Sequence, residues 1–404
     1  MNAVKEISKL NDLVSTSKKT GGKITFISGD YKTETEKLIK KICPYSKVGL
    51  VGFSKTYQSY GKEIVDELKK TGSKTVSLIM PDKYSDSVDY ASLLFNFPED
   101  VRLLIVFDRE LMRSCTYFSG IRNVPILYIP KDFFFYKSLD DVLFFRNGGK
   151  TEKIICRSNK YVLFDENFIS CDGLEMVYAH IVSKIVALFD YKIYKTIKGE
   201  RANKTVISTA LSIIKETIDI MNVKIEERGK FLAINALKIE LMNFITGAEL
   251  FSYSAEVFTG KLLASKSDFY SIELASAIKI LAYYSDFFSA KEAFPVFPNY
   301  NKRVEEVSYV LRLSEKELAD AFIKHTDDFF KNKSLYFKTI DSLKDSAKRA
   351  FDVVANLKST YLTLGGKEYF GLDEDQLYDA VRFSGDVPFY FNGMTVLREL
   401  GILD

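Results

Sequence analysis

Lys47-Val48-Gly49-Leu50-Val51-Gly52-Phe53 carries one charge, at its first position, and apolar side chains wherever glycine does not stand. A strand with one wet face would alternate polar and apolar residues. This run does not, so it reads as a strand buried on both faces, as in a parallel sheet. Similar runs lie at Lys23 to Ile27, Thr75 to Met80, Val101 to Phe107 and Pro125 to Pro130. Helical patterns over Thr33 to Ile42, Gly61 to Lys70 and Glu110 to Ser119 separate them, which predicts an α/β unit. Ile154-Ile155 and Tyr161 to Phe164 read as a last hairpin or edge strand.

The period changes near Asp172. Leu174, Val177, Ile181, Ile185 and Phe189 recur every three to four residues, and helical patterns also span Val206 to Ile220, Ile272 to Phe287, Ser314 to Phe330 and Asp375 to Phe383. The expected architecture is an α/β N-terminal domain with a Rossmann-like parallel sheet, residues 1–170, followed by an all-helical C-terminal domain, residues 171–404. Gly21-Gly22, Gly148-Gly149 and Gly365-Gly366 read as turns and not as phosphate loops.

The 404 residues are 47% hydrophobic and 14% aromatic, enough for two domain cores. With 57 Lys+Arg against 54 Asp+Glu, the net charge of +3 gives no basic excess, so neither nucleic acid nor membrane is an expected partner. Cys43, Cys115, Cys156 and Cys171 are too widely spaced for a CxxC motif and read as buried thiols. The N-terminus is polar, without an apolar leader, and no run has transmembrane length. These features together predict a cytoplasmic protein. His180 and His325 are the only histidines; each reads as capped or partly exposed, and two imidazoles supply no Ser/His/Asp constellation. Phe133 to Tyr136 reads as core packing or an interface patch.

Three segments carry a resemblance. Thr246-Gly247-Ala248-Glu249-Leu250-Phe251-Ser252-Tyr253-Ser254-Ala255-Glu256 is similar to the Ser-Gly-Ala-Glu-His-x-x-Ser-His-x-x-Glu element of sn-glycerol-1-phosphate dehydrogenases. Asp172-Gly173-Leu174-Glu175-Met176 resembles the segment with that family's first metal carboxylate, and Gln376 to Asp404 resembles its C-terminal helix and tail. The resemblance is to the dehydroquinate synthase-like and iron-containing alcohol dehydrogenase superfamily. It implies the two-domain fold, a homo-oligomer, and in active members a zinc or iron held by a carboxylate and two His beside a nicotinamide cofactor.

The departures fall on that chemistry. The resemblance places the metal carboxylate at Glu175 and the two His at Tyr253 and at Ser271 of Ser271-Ile272-Glu273; a phenol and an alcohol are weak ligands. Where the family has a glycine-rich phosphate loop the chain reads Phe107-Asp108-Arg109-Glu110, and where the family has a Pro-Thr cofactor contact it reads Pro130-Lys131-Asp132. Side chains there fill the space of a pyrophosphate, and Asp108 and Glu110 repel it. Arg109 and Arg113 are either an anion-binding pair or ordinary surface charge.

No catalytic residue, metal or NAD(P) site is therefore expected. The sequence-level function is a catalytically degenerate relative of glycerol-1-phosphate dehydrogenase acting as a binding or assembly protein, with a small anion as a possible ligand. Its alternative is a metal-independent NAD(P)-dependent oxidoreductase or lyase acting on a small phosphorylated polyol, with Lys131 or Arg109 as electrophile.

Overall fold

In the computed structural model the chain divides into two compact units, Met1–Asp172 and Gly173–Asp404. The structure describes residues 8, 11–12, 22–70, 72–81, 87–132, 139, 142–147, 150–165, 167, 173–246, 250–251, 254–263, 269–288, 305, 315–366, 373–385, 390–399 and 402–403.

The first unit is built on strands β1 (Ile24–Ser28), β2 (Lys47–Phe53), β3 (Lys74–Met80), β4 (Val101–Val106), β5 (Ile126–Tyr128) and β8 (Lys160–Phe164). They form one parallel six-stranded sheet in the order β1-β8-β5-β4-β2-β3. Helices α1 (Tyr31–Ile42), α2 (Lys62–Lys70), α3 (Ser87–Leu94) and α4 (Arg109–Arg122) supply the connections. Val48, Leu50 and Val51 of β2 and Leu103, Leu104 and Ile105 of β4 are all buried, which accounts for the unbroken apolar runs. At the β1 edge the side chain of Asn11 imitates a strand: its Oδ1 accepts from the Phe26 N–H at 2.8 Å and its Nδ2 donates to the Phe26 carbonyl at 2.9 Å.

One expectation is corrected here. Tyr161 to Phe164 is neither a hairpin arm nor an edge. It lies in β8, between β1 and β5 and parallel to both, and Val162, Leu163 and Phe164 are buried. The hairpin is made instead by β6 (Val142–Asn147) and β7 (Lys150–Ile155), antiparallel and outside the main sheet. The physical reason was present in the sequence: three consecutive large apolar residues need apolar neighbours on both faces, and an edge position gives fewer. Cys43, Cys115 and Cys156 are buried. Gly148-Gly149, Phe133 to Tyr136 and Cys171 lie outside the described residues.

The second unit is helical: α5 (Leu174–Ile197), α6 (Lys204–Ile218), α7 (Arg228–Thr246), α8 (Ala255–Leu263), α9 (Phe269–Phe287), α10 (Glu315–Ala355), α11 (Lys358–Thr363), α12 (Glu374–Phe383) and α13 (Gly393–Glu399). Helix α5 packs against α6, α7, α8, α9, α10 and α11. Every residue from Val177 to Tyr191 is buried, so the apolar stripe seen in sequence is one side of a helix enclosed on all sides. Three of those enclosed residues are His180, Lys184 and Asp190, and an enclosed charge must be paired. Among the described residues no helix is long and apolar enough to cross a membrane.

Leu163 tests the interior placement of β8. It is fully buried against the core that includes Leu38, Leu103 and Leu127. Leu163→Ala is expected to cost about 3 kcal/mol as a cavity, and to lower the melting temperature by roughly 10 °C in a calorimetric scan. A loss near ~1 °C would be that of an exposed edge.

Candidate functional site

In the first unit β2 has β3 on one side and β4 on the other, so the crossover leaving β2 and the one returning to β4 run in opposite directions across the sheet. Open α/β sheets bind ligands at the carboxyl ends of the strands flanking such a reversal. Thr56 follows β2 by three residues, Asp108 follows β4 by two and Lys131 follows β5 by three, and their side chains meet there.

Asp108 is completely buried. One carboxylate oxygen accepts from the backbone N–H of Phe53 at 2.9 Å, and the other from the Thr56 hydroxyl at 2.7 Å and from the Lys131 ammonium. The same ammonium donates to Thr56 Oγ1 at 2.8 Å. Gly52 permits this approach, since a Cβ there would stand only 3.3 Å from the Asp108 carboxylate. Asp108 is the N-cap residue of α4, yet its side chain makes no capping bond to that helix and turns toward β2 instead.

Two sequence-level expectations change accordingly. Asp108 does not repel an approaching phosphate as an open charge; it is a neutralised carboxylate that fills the strand ends. Lys131 is not a free electrophile, because Asp108 and Thr56 hold its ammonium. Arg109 bonds Glu110 at 2.9 Å and faces Asp132 at 3.6 Å, while the Arg113 residue is exposed.

The second unit gathers a group that sequence reading missed. His180 and Lys184 stand one turn apart on α5, Glu240 is on α7, Glu256 on α8 and Glu273 on α9. His180 Nδ1 lies 2.6 Å from Glu273 Oε2, and its Nε2 lies 3.2 Å from Glu240 Oε1. Lys184 Nζ donates to Glu273 Oε2 at 3.2 Å and to Glu256 Oε1 at 3.4 Å. The Ser254 hydroxyl donates to Glu256 Oε1 at 2.7 Å. His180 is thus buried between two carboxylates, neither capped nor partly exposed as its sequence context suggested. Its signal was His180 and Lys184 at i and i+4 inside a run that is otherwise almost wholly apolar.

Asp190, further along α5, ties three segments together. Its Oδ1 accepts from the Tyr284 hydroxyl at 2.7 Å and the Gly393 N–H at 2.9 Å, and its Oδ2 accepts from the Ala255 N–H at 2.9 Å. A side chain on Gly393 would overlap the Tyr284 ring. Burial raises the Asp190 carboxyl to about 6, against the lowering effect of those three donors. Burial likewise raises Glu256 to about 7, with Lys184 and Ser254 opposing and the charges of Asp190 and Glu273 adding to the rise.

Of the three positions implied for a metal, Glu175 is half-buried in the first turn of α5. Ser271 lies in α9 with its side chain outside the described residues, as is that of His325, and Tyr253 is outside them altogether. Among the described residues no group of three or more His, Cys, Asp or Glu is arranged to hold a metal ion.

Comparison with solved structures identifies the fold. An iron-containing alcohol dehydrogenase from Thermococcus thioreducens matches with a TM-score of 0.58 at 12% identity, over 92% of this chain and 93% of that one. A sulfoacetaldehyde reductase from Bifidobacterium kashiwanohense, in complex with NAD+, matches with a TM-score of 0.56 at 12% identity, over 96% and 99%. Glycerol dehydrogenase from Schizosaccharomyces pombe gives 0.51 at 15% identity, over 88% and 94%. This chain has the fold of the iron-containing alcohol dehydrogenases, with a Rossmann-like sheet followed by helices. No protein-family model and no curated protein matches its sequence.

The raised carboxyls give a pH prediction. Folded Glu256 keeps a proton up to about 7, whereas its ordinary value is 4.5. Between those values the folded state holds more protons than the unfolded state, so this group's contribution to stability falls as pH rises through the window and is flat above it. Asp190, raised to about 6 from 3.8, acts with the same sign. Glu256→Gln removes the first contribution. The melting temperature of the variant minus that of the parent is expected to increase by roughly 5–10 °C between pH 5 and pH 8; a flat or falling difference would contradict the assignment.

Proposed function

We propose that this chain retains the dehydrogenase fold without metal-dependent hydride transfer and serves as a binding or assembly protein. The observation that carries this reading is the Asp108 carboxylate lodged on the Phe53 N–H and neutralised by Lys131.

A dinucleotide site at a strand-to-helix turn works by leaving backbone N–H groups bare for phosphate. Here the turn after β4 is Phe107-Asp108-Arg109-Glu110, and the neighbouring strand end already gives its N–H to Asp108. A pyrophosphate would have to displace an ion pair whose carboxylate is buried, leaving Lys131 and Thr56 without that acceptor. The residues do not fit the cofactor that the B. kashiwanohense neighbour holds.

The metal of iron-containing neighbours fares no better. In the second unit the buried carboxylates of Glu256 and Glu273 share an ammonium, and both ring nitrogens of His180 already face carboxylate oxygens. A metal ion there would sit against the positive charge of Lys184. No step through either group is derived.

Titration with NAD(H) or NADP(H), followed by calorimetry or nicotinamide fluorescence, is expected to give no saturable binding below ~1 mM, a limit worth only about 4 kcal/mol. Micromolar affinity would overturn this reading and favour the metal-independent NAD(P)-dependent oxidoreductase or lyase.

A further inference from the structure

The end of α12 carries two guanidinium groups around one aromatic ring. Arg382 and Phe383 are the last residues of α12, and Arg398 lies in the last turn of α13. The guanidinium carbons of Arg382 and Arg398 each stand 5.6 Å from the centre of the Phe383 ring, and all three residues are half-buried. Arg398 Nη1 donates to the Arg382 carbonyl at 3.4 Å. Arg382 Nε is buried and finds no acceptor among the described residues. An aromatic face only partly offsets a guanidinium charge, and a buried N–H without an acceptor is uncommon in a folded protein. Two ordinary ways of satisfying it are closed. The carbonyls of Ala380, Val381 and Arg382 already receive the Ser384 N–H. Asp379 is exposed one turn earlier on α12, yet among the described residues no ion pair joins it to Arg382.

We propose that Arg382 and Arg398 form an oxyanion site whose ligand is the phosphoryl group of a small molecule. A guanidinium presents its N–H groups as a fork that matches two oxygens of a phosphate, and it keeps its charge throughout the physiological pH range. Two such groups balance a phosphate dianion, whereas a carboxylate brings a single charge. The Phe383 ring keeps the two cations near each other without neutralising either. The other arginine pair offers less, because Arg109 bonds Glu110 and faces Asp132. This inference deepens the binding reading by naming a ligand class, and the two fail separately. NAD(H) binding that survives Arg382→Gln would overturn the closed strand ends, whereas a parent chain that takes up no phosphate would overturn only the arginine site.

The test is a calorimetric titration of the full-length chain with inorganic phosphate near neutral pH, at an ionic strength held constant with NaCl, with the melting temperature followed in parallel. Saturable binding with a Kd below ~1 mM is expected. The melting temperature should rise with phosphate, since a ligand bound only by the folded state stabilises it. Arg382→Gln and Arg398→Gln should each weaken binding at least ~10-fold. Arg382→Lys should weaken it nearly as much, because an ammonium keeps the charge and loses the fork. Lys344→Gln removes an exposed charge on α10 and should leave the Kd within ~2-fold of the parent's. Acetate should bind at least ~10-fold more weakly than phosphate.

The proposal is overturned if the parent shows no saturable phosphate binding, or if the folded Arg382→Gln and Arg398→Gln variants bind phosphate as the parent does. An equal loss in Lys344→Gln would mark diffuse charge and overturn it as well, as would acetate binding as tightly as phosphate. If Arg382→Gln fails to give a cooperative melt, Arg398→Gln and Arg382→Lys decide by the same criterion.

Discussion

Taking a carboxylate or an ammonium out of water costs several kcal/mol per ion unless a partner lies within hydrogen-bond reach, and this chain encloses such groups in the interior of both its units. Asp108 is buried at the end of β4, and His180, Lys184 and Asp190 stand on the enclosed part of α5. Each is partnered by residues of the same unit. That requirement fixes which backbone segments must come together: the β2 and β5 strand ends around Asp108, and the starts of α8 and α13 around Asp190. Apolar packing supplies the bulk of the cores, and the buried charges select the arrangement within them.

A bulky, charged turn after β4 could leave its carboxylate exposed at the strand ends. Instead Asp108, Thr56 and Lys131 form a closed set of bonds where the strand order reverses. Removing one member strands the others, because a buried charge left without its partner is more costly than the pair. The helical unit behaves in the same way, with three glutamates set against one lysine and one histidine.

The sheet was legible in sequence because its strands are covered on both faces; the runs at Lys47 to Phe53 and Val101 to Phe107 admit few other readings. Tyr161 to Phe164 was misplaced because periodicity identifies a strand but not its neighbours, and β8 pairs with β1, which is more than a hundred residues away in sequence. The strand-end residues Asp108 and Lys131 could be singled out, yet their mutual bond could not, since it depends on which way two side chains turn. The helical cluster was not legible because His180 has no carboxylate partner on its own helix turn; its partners Glu240 and Glu273 come from other helices far away in sequence.

Native-state amide exchange at Phe53 tests the central claim most directly. If the buried Asp108 carboxylate holds that N–H, Phe53 exchanges slowly in the free protein, Asp108→Ala speeds it by about 100-fold or more, and added NADH leaves the parent's rate unchanged. Rapid exchange at Phe53 in the parent, or protection that rises when NADH is added, would contradict the account.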